Sequence, residues 1–219
     1  MPQLYSDYHK IFSKIKLLEG LEKEIVKRFQ NQYGINEVKT IVKKHIEKYG
    51  DYIVYKSVEE ITSSNINTWL EKKMKSTKKR YTSILKELLR KYKVNGILLA
   101  RLVHEYHGFN YGRKLKNKEK ISSAYDIFII MSNYIFEDSS CNNSFKITKK
   151  EKDLLGYIQY KGDYFKYWHN TEISYNIIYD FKRTWIEGFV NGLNPSFKYQ
   201  VSLENVGDKD VYYHRIFKK

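Results

Sequence analysis

Residues 171–193, TEISYNIIYDFKRTWIEGFVNGL, decide how this chain is read. Ile173, Ile177, Ile178, Phe181, Trp185, Phe189 and Val190 recur at steps of three and four, the period of one helical face, and a face so apolar must be buried. Gly192 and the pair Asn194-Pro195 punctuate the helix end, because glycine tolerates the left-handed C-terminal position and proline cannot continue a helix. The stretches that follow, SFKYQVSL (196–203) and VYYHRIF (211–217), alternate with the period of a strand, and Gly207-Asp208 between them suits a hairpin turn. The last third is therefore expected to be one long helix followed by a hairpin.

Working outward, YIQYKGDYFKYW (157–168) places Lys161-Gly162-Asp163 between two aromatic-rich alternating runs, a second hairpin candidate. Thr148-Lys-Lys-Glu151 has the form of a capping box and predicts a short helix through Leu155. AYDIFIIMSNYIF (124–136), with Ser122 or Ser123 as cap, reads as core helix, with a strand as the alternative. At the other end, Leu4 to Gln32 is helical up to Gly34, and a second helix runs from an Asn36 cap to Gly50, the two forming an antiparallel pair. DYIVYKSVEEI (51–61) leans to helix, with a short strand as the alternative. Thr62 to Asn65 caps a basic helix that ends at Asn95-Gly96. Ile97 to His107 forms another helix, and Gly108 and Gly112 punctuate a loop after it. The expected fold class is α+β, predominantly helical, with N-terminal helices packed with a long C-terminal helix and a small antiparallel sheet. A single domain, 1–219, is expected; the alternative division is a helical region over 1–95 and an α+β region over 96–219.

Composition narrows the classes of function. Among 219 residues, 16% are aromatic, with 21 Tyr and 11 Phe, which is the opposite of a disordered composition. No apolar run approaches the ~20 residues needed to span a bilayer. The N-terminus MPQLYSDYHK lacks the layout of a secretory signal, and the lone Cys141, in the polar stretch DSSCNNS, makes no internal disulfide. These features predict a cytoplasmic protein without a membrane partner. The net charge of +15 attracts polyanions, but the excess is mostly lysine, which lacks the planar, bidentate geometry of arginine. Its densest stretch is the face carrying Lys72, Lys73, Lys75, Lys78, Lys79, Arg80 and Arg90. That face supports nucleic-acid binding as the alternative function and a solvated helix surface as the plainer one.

Motifs for chemistry are sparse. His104 and His107 lie three apart with Glu105 and Tyr106 between them, one residue short of the zinc-protease spacing, and no third ligand accompanies them. They are the weak metal candidates and, with Glu105, the acid–base candidates of an enzyme reading; a structural pair is the plainer account. The stretch Gly108 to Lys114 matches neither the dinucleotide nor the Walker phosphate pattern. Cys141 has no local base or activating charge. No cofactor and no oligomeric state follow from these residues.

Trp185-Ile-Glu-Gly188-Phe189 in a long helix, then a strand, then Gly207-Asp208 leading into a last strand, resembles the C-terminal layout of the vinyl-reductase domain family and of the related aminothiazoline-carboxylate hydrolase-like proteins. The resemblance implies a small-molecule-binding or sensory module. The family pattern carries a cysteine shortly after the Gly-Asp turn, where this chain has Val211 or its neighbours, so chemistry through that cysteine is not implied here. The expected function is accordingly an intracellular small-molecule-binding or sensor-type module. Its aromatic-lined pocket would be formed by Trp168, Tyr175, Tyr179, Trp185 and Phe189.

Overall fold

The structure is a computed structural model that describes residues 2–117, 120–135, 145–160, 173–206 and 209–219. Its elements run α1 (Pro2–Tyr33), α2 (Ile35–Tyr49), a 3-10 turn (Val58–Glu60), α3 (Ile66–Lys116), α4 (Ala124–Ser132), β1 (Phe145–Lys150), β2 (Leu154–Tyr160), α5 (Tyr175–Leu193), β3 (Phe197–Val206) and β4 (Lys209–Lys218). The fold is predominantly helical α+β with a four-stranded antiparallel sheet of order β1-β2-β4-β3. The chain divides into two compact units, Met1–Ala100 and Arg101–Lys219.

In the first unit the apolar stripe of α1, with Ile15, Leu18, Leu21, Ile25 and Phe29, is buried, as are Val38 and Ile41 of α2 and Ile84, Leu85 and Leu88 of α3. Gly34 and Gly50 bracket α2 at φ 103° and 89°, values that a side chain makes costly, so the turn positions require glycine. Residues 51–57 are irregular, with a bend at 56–57, and only Val58–Glu60 forms a short 3-10 turn, which corrects the helical reading of 51–61. The reason lies in what their backbone bonds to. Arg80 donates to the carbonyls of Gly50 and Asp51 at 2.7 and 3.1 Å, and Glu19 accepts from the amide of Ile53 at 3.0–3.1 Å. Side chains supply the partners that a helix would have supplied internally.

α3 does not stop at Asn95-Gly96. It is interrupted earlier, at Lys93, whose φ of 51° and ψ of −133° break the helical geometry, and it then continues to Lys116. Gly108 and Gly112, expected in a loop, lie inside that continuation.

In the second unit, Ser123 and Asp126 form a reciprocal capping box that starts α4. The expected helix from Thr148 does not form: this segment is β1 and the turn into β2, with a bulge between Ile147 and Lys149. Pairing with β2 outweighs the local cap signal. α5 is capped by Ser174, which accepts from the amide of Asn176 at 3.3 Å, and Gly192 sits within the helix, with Asn194 as its C-cap. The turn at Gly207-Asp208, the hairpin at Lys161-Gly162-Asp163, Cys141 and Trp168 lie outside the described residues.

Candidate functional site

α5 is buried on two sides. One side meets the stretch of α3 beyond residue 100, and the contact is made by glycine. A Cβ at Gly108 would lie 2.1 Å from the carbonyl oxygen of Trp185, and one at Gly112 would lie 2.2 Å from that of Phe189. Reciprocally, a Cβ at Gly188 or Gly192 would lie 2.2 or 2.1 Å from the carbonyl oxygen of Glu105 or Phe109. The glycines recur every four residues on both helices and pair in ascending order, so the segments run parallel with their backbones in direct contact. Flanking rings close the seam: His104 stacks on Phe181 at 4.8 Å, and Trp185 stacks on Phe189 at 5.2 Å. Trp185 donates through Nε1 to Nδ1 of His107 at 3.0 Å, which leaves the proton of the neutral imidazole on Nε2. Burial, with Lys114 adding repulsion, pushes the His107 pKa down to about 4.

The other side of α5 meets the sheet. Register sets Tyr157 of β2 opposite His214 of β4, and Gln159 opposite Tyr212, so that these four side chains share one face. Tyr179 of α5 stacks on Tyr212 at 3.7 Å, and the buried Lys182 donates to Gln159 Oε1 at 3.0 Å. His214 is 1% exposed and lies flat on Tyr157, at 4.5 Å and 4°. Its Nδ1 shares a 2.7 Å hydrogen bond with the hydroxyl of Tyr199, while its Nε2 is enclosed without a partner. Burial, then the charge of Lys182, lowers the His214 pKa well below the ordinary range, so the imidazole is neutral.

The four described aromatic residues singled out from sequence are placed on different sides of α5. Trp185 and Phe189 pack into the seam with α3, Tyr179 faces the sheet, and Tyr175, at the start of α5, is 42% exposed. The basic face separates as well. Lys72, Lys75, Lys79 and Arg90 are exposed, but Lys78 is buried and Lys73 turns to Glu19 at 3.8 Å and to the carbonyl of Asp51. Arg80 is wholly buried, its guanidinium taken up by Glu22 at 2.9 Å and Glu19 at 3.3 Å, and is withdrawn from any phosphate backbone. Among the described residues no cluster of three or more His, Cys, Asp or Glu is placed to hold a metal, and no helix is long and apolar enough to cross a membrane. His214, Tyr157, Gln159, Lys182 and Tyr199 were not singled out from sequence; the signal was a histidine on the inward phase of the alternating strand VYYHRIF.

No family model matches the chain, and no curated protein does. Solved structures similar to it are consistently H-NOX domains. A mutant of the H-NOX protein of T. tengcongensis aligns over 90% of this chain and 95% of its own at 11% identity, TM-score 0.45. The Fe(II) unliganded H-NOX protein of K. algicida aligns over 91% and 95% at 14% identity, TM-score 0.43. An oxygen-binding H-NOX domain related to soluble guanylate cyclases aligns over 90% and 92% at 11% identity, TM-score 0.42. Likeness at this level carries no conclusion about ligand or chemistry. The resemblance to the vinyl-reductase and aminothiazoline-carboxylate hydrolase-like families is corrected: no family model matches the chain, and the solved structures similar to it are H-NOX domains instead. The stretch Trp185-Ile-Glu-Gly188-Phe189 that suggested it is accounted for by packing, since Gly188 is where Glu105 of α3 comes into backbone contact.

Proposed function

We propose that the second unit is a small-molecule-binding, sensor-type module whose ligand is met between α5 and the sheet by His214, Lys182 and Gln159, with the rings of Tyr157 and Tyr179 as flat walls. The observation that carries this reading is Nε2 of His214, an enclosed polar atom without a partner. Leaving such a group unpaired costs about 1–3 kcal/mol, which a ligand that hydrogen-bonds it recovers. The glycine seam suggests how occupancy is passed on. α5 and α3 are locked backbone to backbone, so a ligand that displaces α5 from β4 moves both helices as one body.

Two of the similar solved structures are described by their haem, one of them as a member of the H-NOX family. The described residues of this unit do not fit that group. His107 accepts from Trp185 and so carries its proton on Nε2, the nitrogen that would have to bind iron. His104 and His214 are 3% and 1% exposed, closed in by neighbouring side chains, and the helix seam has no room for a planar macrocycle.

The test is the imidazole nitrogen spectrum of His214 during titration with a set of small heteroaromatic amides and carboxylates. A binder is expected to shift Nε2 of His214 and to raise the melting temperature, and both effects should vanish in His214→Phe. If binders move other residues and leave His214 untouched, the site is not here.

A further inference from the structure

We infer that the groove between α2 and α3 in the first unit binds a small zwitterion of the amino-acid type, its carboxylate on Arg90 and its ammonium on Glu87. This inference is independent of the second unit. The groove has a volume of about 470 Å³ and is lined by Glu37, Thr40 and Ile41 of α2 and by Glu87, Arg90 and Lys91 of α3. On each helix the three residues stand at i, i+3 and i+4, so one face of each helix supplies one wall.

The lining carries two carboxylates and two cations, but they are not all paired with one another. Glu37 is fully used: one oxygen pairs with Lys91, and the other accepts from the hydroxyl of Tyr92 at 3.0 Å. Glu87 is used on one side only. Lys44 at 2.9 Å and His45 Nε2 at 2.8 Å both meet its Oε2, and Oε1 has no partner among the described residues. Arg90, three residues along α3, is exposed and meets no carboxylate among the described residues, Glu87 included. A free guanidinium and a free carboxylate oxygen thus sit one turn apart without closing on each other, because Glu87 is turned to α2.

His45 fixes that arrangement. Its ring is 7% exposed and its Nδ1 is enclosed without a partner, so protonating Nδ1 would bury a second unpaired donor. Nε2–H therefore donates to Glu87, and the carboxylate stays ionised. Burial raises its pKa, but the hydrogen bonds from Lys44 and His45 outweigh that and hold it below the ordinary value. A guanidinium takes a carboxylate in a planar, two-bond geometry, and an ionised carboxylate oxygen takes an ammonium. The buried Ile41 offers an apolar floor for a side chain.

The experiment is an amide and side-chain NMR titration of the full chain with the common L-amino acids, propionate, ethylamine and phosphoethanolamine. At least one amino acid should give saturable shifts at Thr40, Ile41, Glu87 and Arg90, and should bind about tenfold tighter than propionate or ethylamine. Arg90→Ala should weaken it about tenfold or more, with Arg90→Lys recovering part of the loss. Glu87→Gln should make it bind no better than propionate. Arg90 is exposed and unpaired, so its variants are expected to fold, which a dispersed amide spectrum checks. Failure of every amino acid to saturate these residues, or binding that survives Arg90→Ala, overturns the inference. Preference for phosphoethanolamine overturns the carboxylate assignment.

Discussion

Each unit buries a polar cluster, one around Arg80 and one around His214, and the two clusters are built in opposite ways. In the first, Arg80 closes on Glu19, Glu22 and two backbone carbonyls, and Tyr52 adds its hydroxyl to Glu22 at 2.8 Å. Burial raises the Glu22 pKa and the Arg80 charge opposes that rise; burial lowers the Lys73 pKa, although Glu19 attracts its charge. The cluster is complete, and it pins the irregular stretch after α2. In the second unit His214 and Lys182 lie among aromatic rings, and a nitrogen is left over. A closed cluster holds structure together, whereas an open one has capacity for something else.

The largest expected effect breaks the closed cluster. Arg80→Met strands two buried carboxylates and should cost about 3–5 kcal/mol in urea-monitored unfolding. Replacing all three charges, as Glu19→Leu, Glu22→Leu and Arg80→Met together, should recover most of that loss. If the single variant costs as little as a surface charge, the cluster is not closed in solution.

Next comes the seam of the second unit. Gly192→Ala places a methyl 2.1 Å from the carbonyl oxygen of Phe109 and 3.1 Å from the amide of Arg113, and backbone cannot swing aside as a side chain can. A loss of about 2–3 kcal/mol is expected, and the same substitution at the open Gly34 is costly only through its φ of 103°. Equal losses with unchanged ring contacts of Trp185 and Phe189 would remove the seam as the device that locks α5 to α3.

The seam also marks where the sequence could and could not be read. The helix at 175–193, its burial and the hairpin after it were legible, because period and alternation are local properties. Ser123 as a cap was legible for the same reason. Gly108 and Gly112 were not: one helix viewed alone makes a glycine look like a break, and the four-residue spacing acquires meaning only against Gly188 and Gly192. Arg80 was read with its lysine neighbours as a surface charge, since nothing in a run of basic residues tells which of them turns inward toward Glu19 and Glu22. Thr148 to Glu151 carried a true cap signal that strand pairing overrode. His214 was visible as an inward strand position, but its lack of a partner is a three-dimensional fact.

A further effect is a dependence on pH that His107 gives the second unit. His107 has its pKa pushed from 6.5 to about 4, so below pH 6.5 the unfolded chain binds a proton that the folded chain refuses. The stability from the neutral ring is therefore fully present above pH 6.5 and is lost as pH falls toward 4, by about 3 kcal/mol. The lowered His214 acts in the same direction. His107→Gln keeps an acceptor for Trp185 and removes the titration, so its unfolding free energy should fall less steeply over that window. A slope unchanged from the wild type would mean that burial does not hold the His107 ring neutral.

The smallest effect separates the open cluster from the closed one most cleanly. Tyr199→Phe with His214→Phe removes a buried hydrogen bond together with the leftover nitrogen, and puts rings of similar shape in their place. Removing both partners of a buried bond is close to neutral, and removing an unpaired polar atom is favourable, so the double variant should fall within about 1 kcal/mol of the wild type, on the stabilised side. A loss comparable to that of Arg80→Met would mean that His214 is bonded on both nitrogens in solution, and the contrast between the two units would then disappear. A gain, together with loss of the ligand response at the sheet, would mark this histidine as one kept at the expense of stability for what it binds.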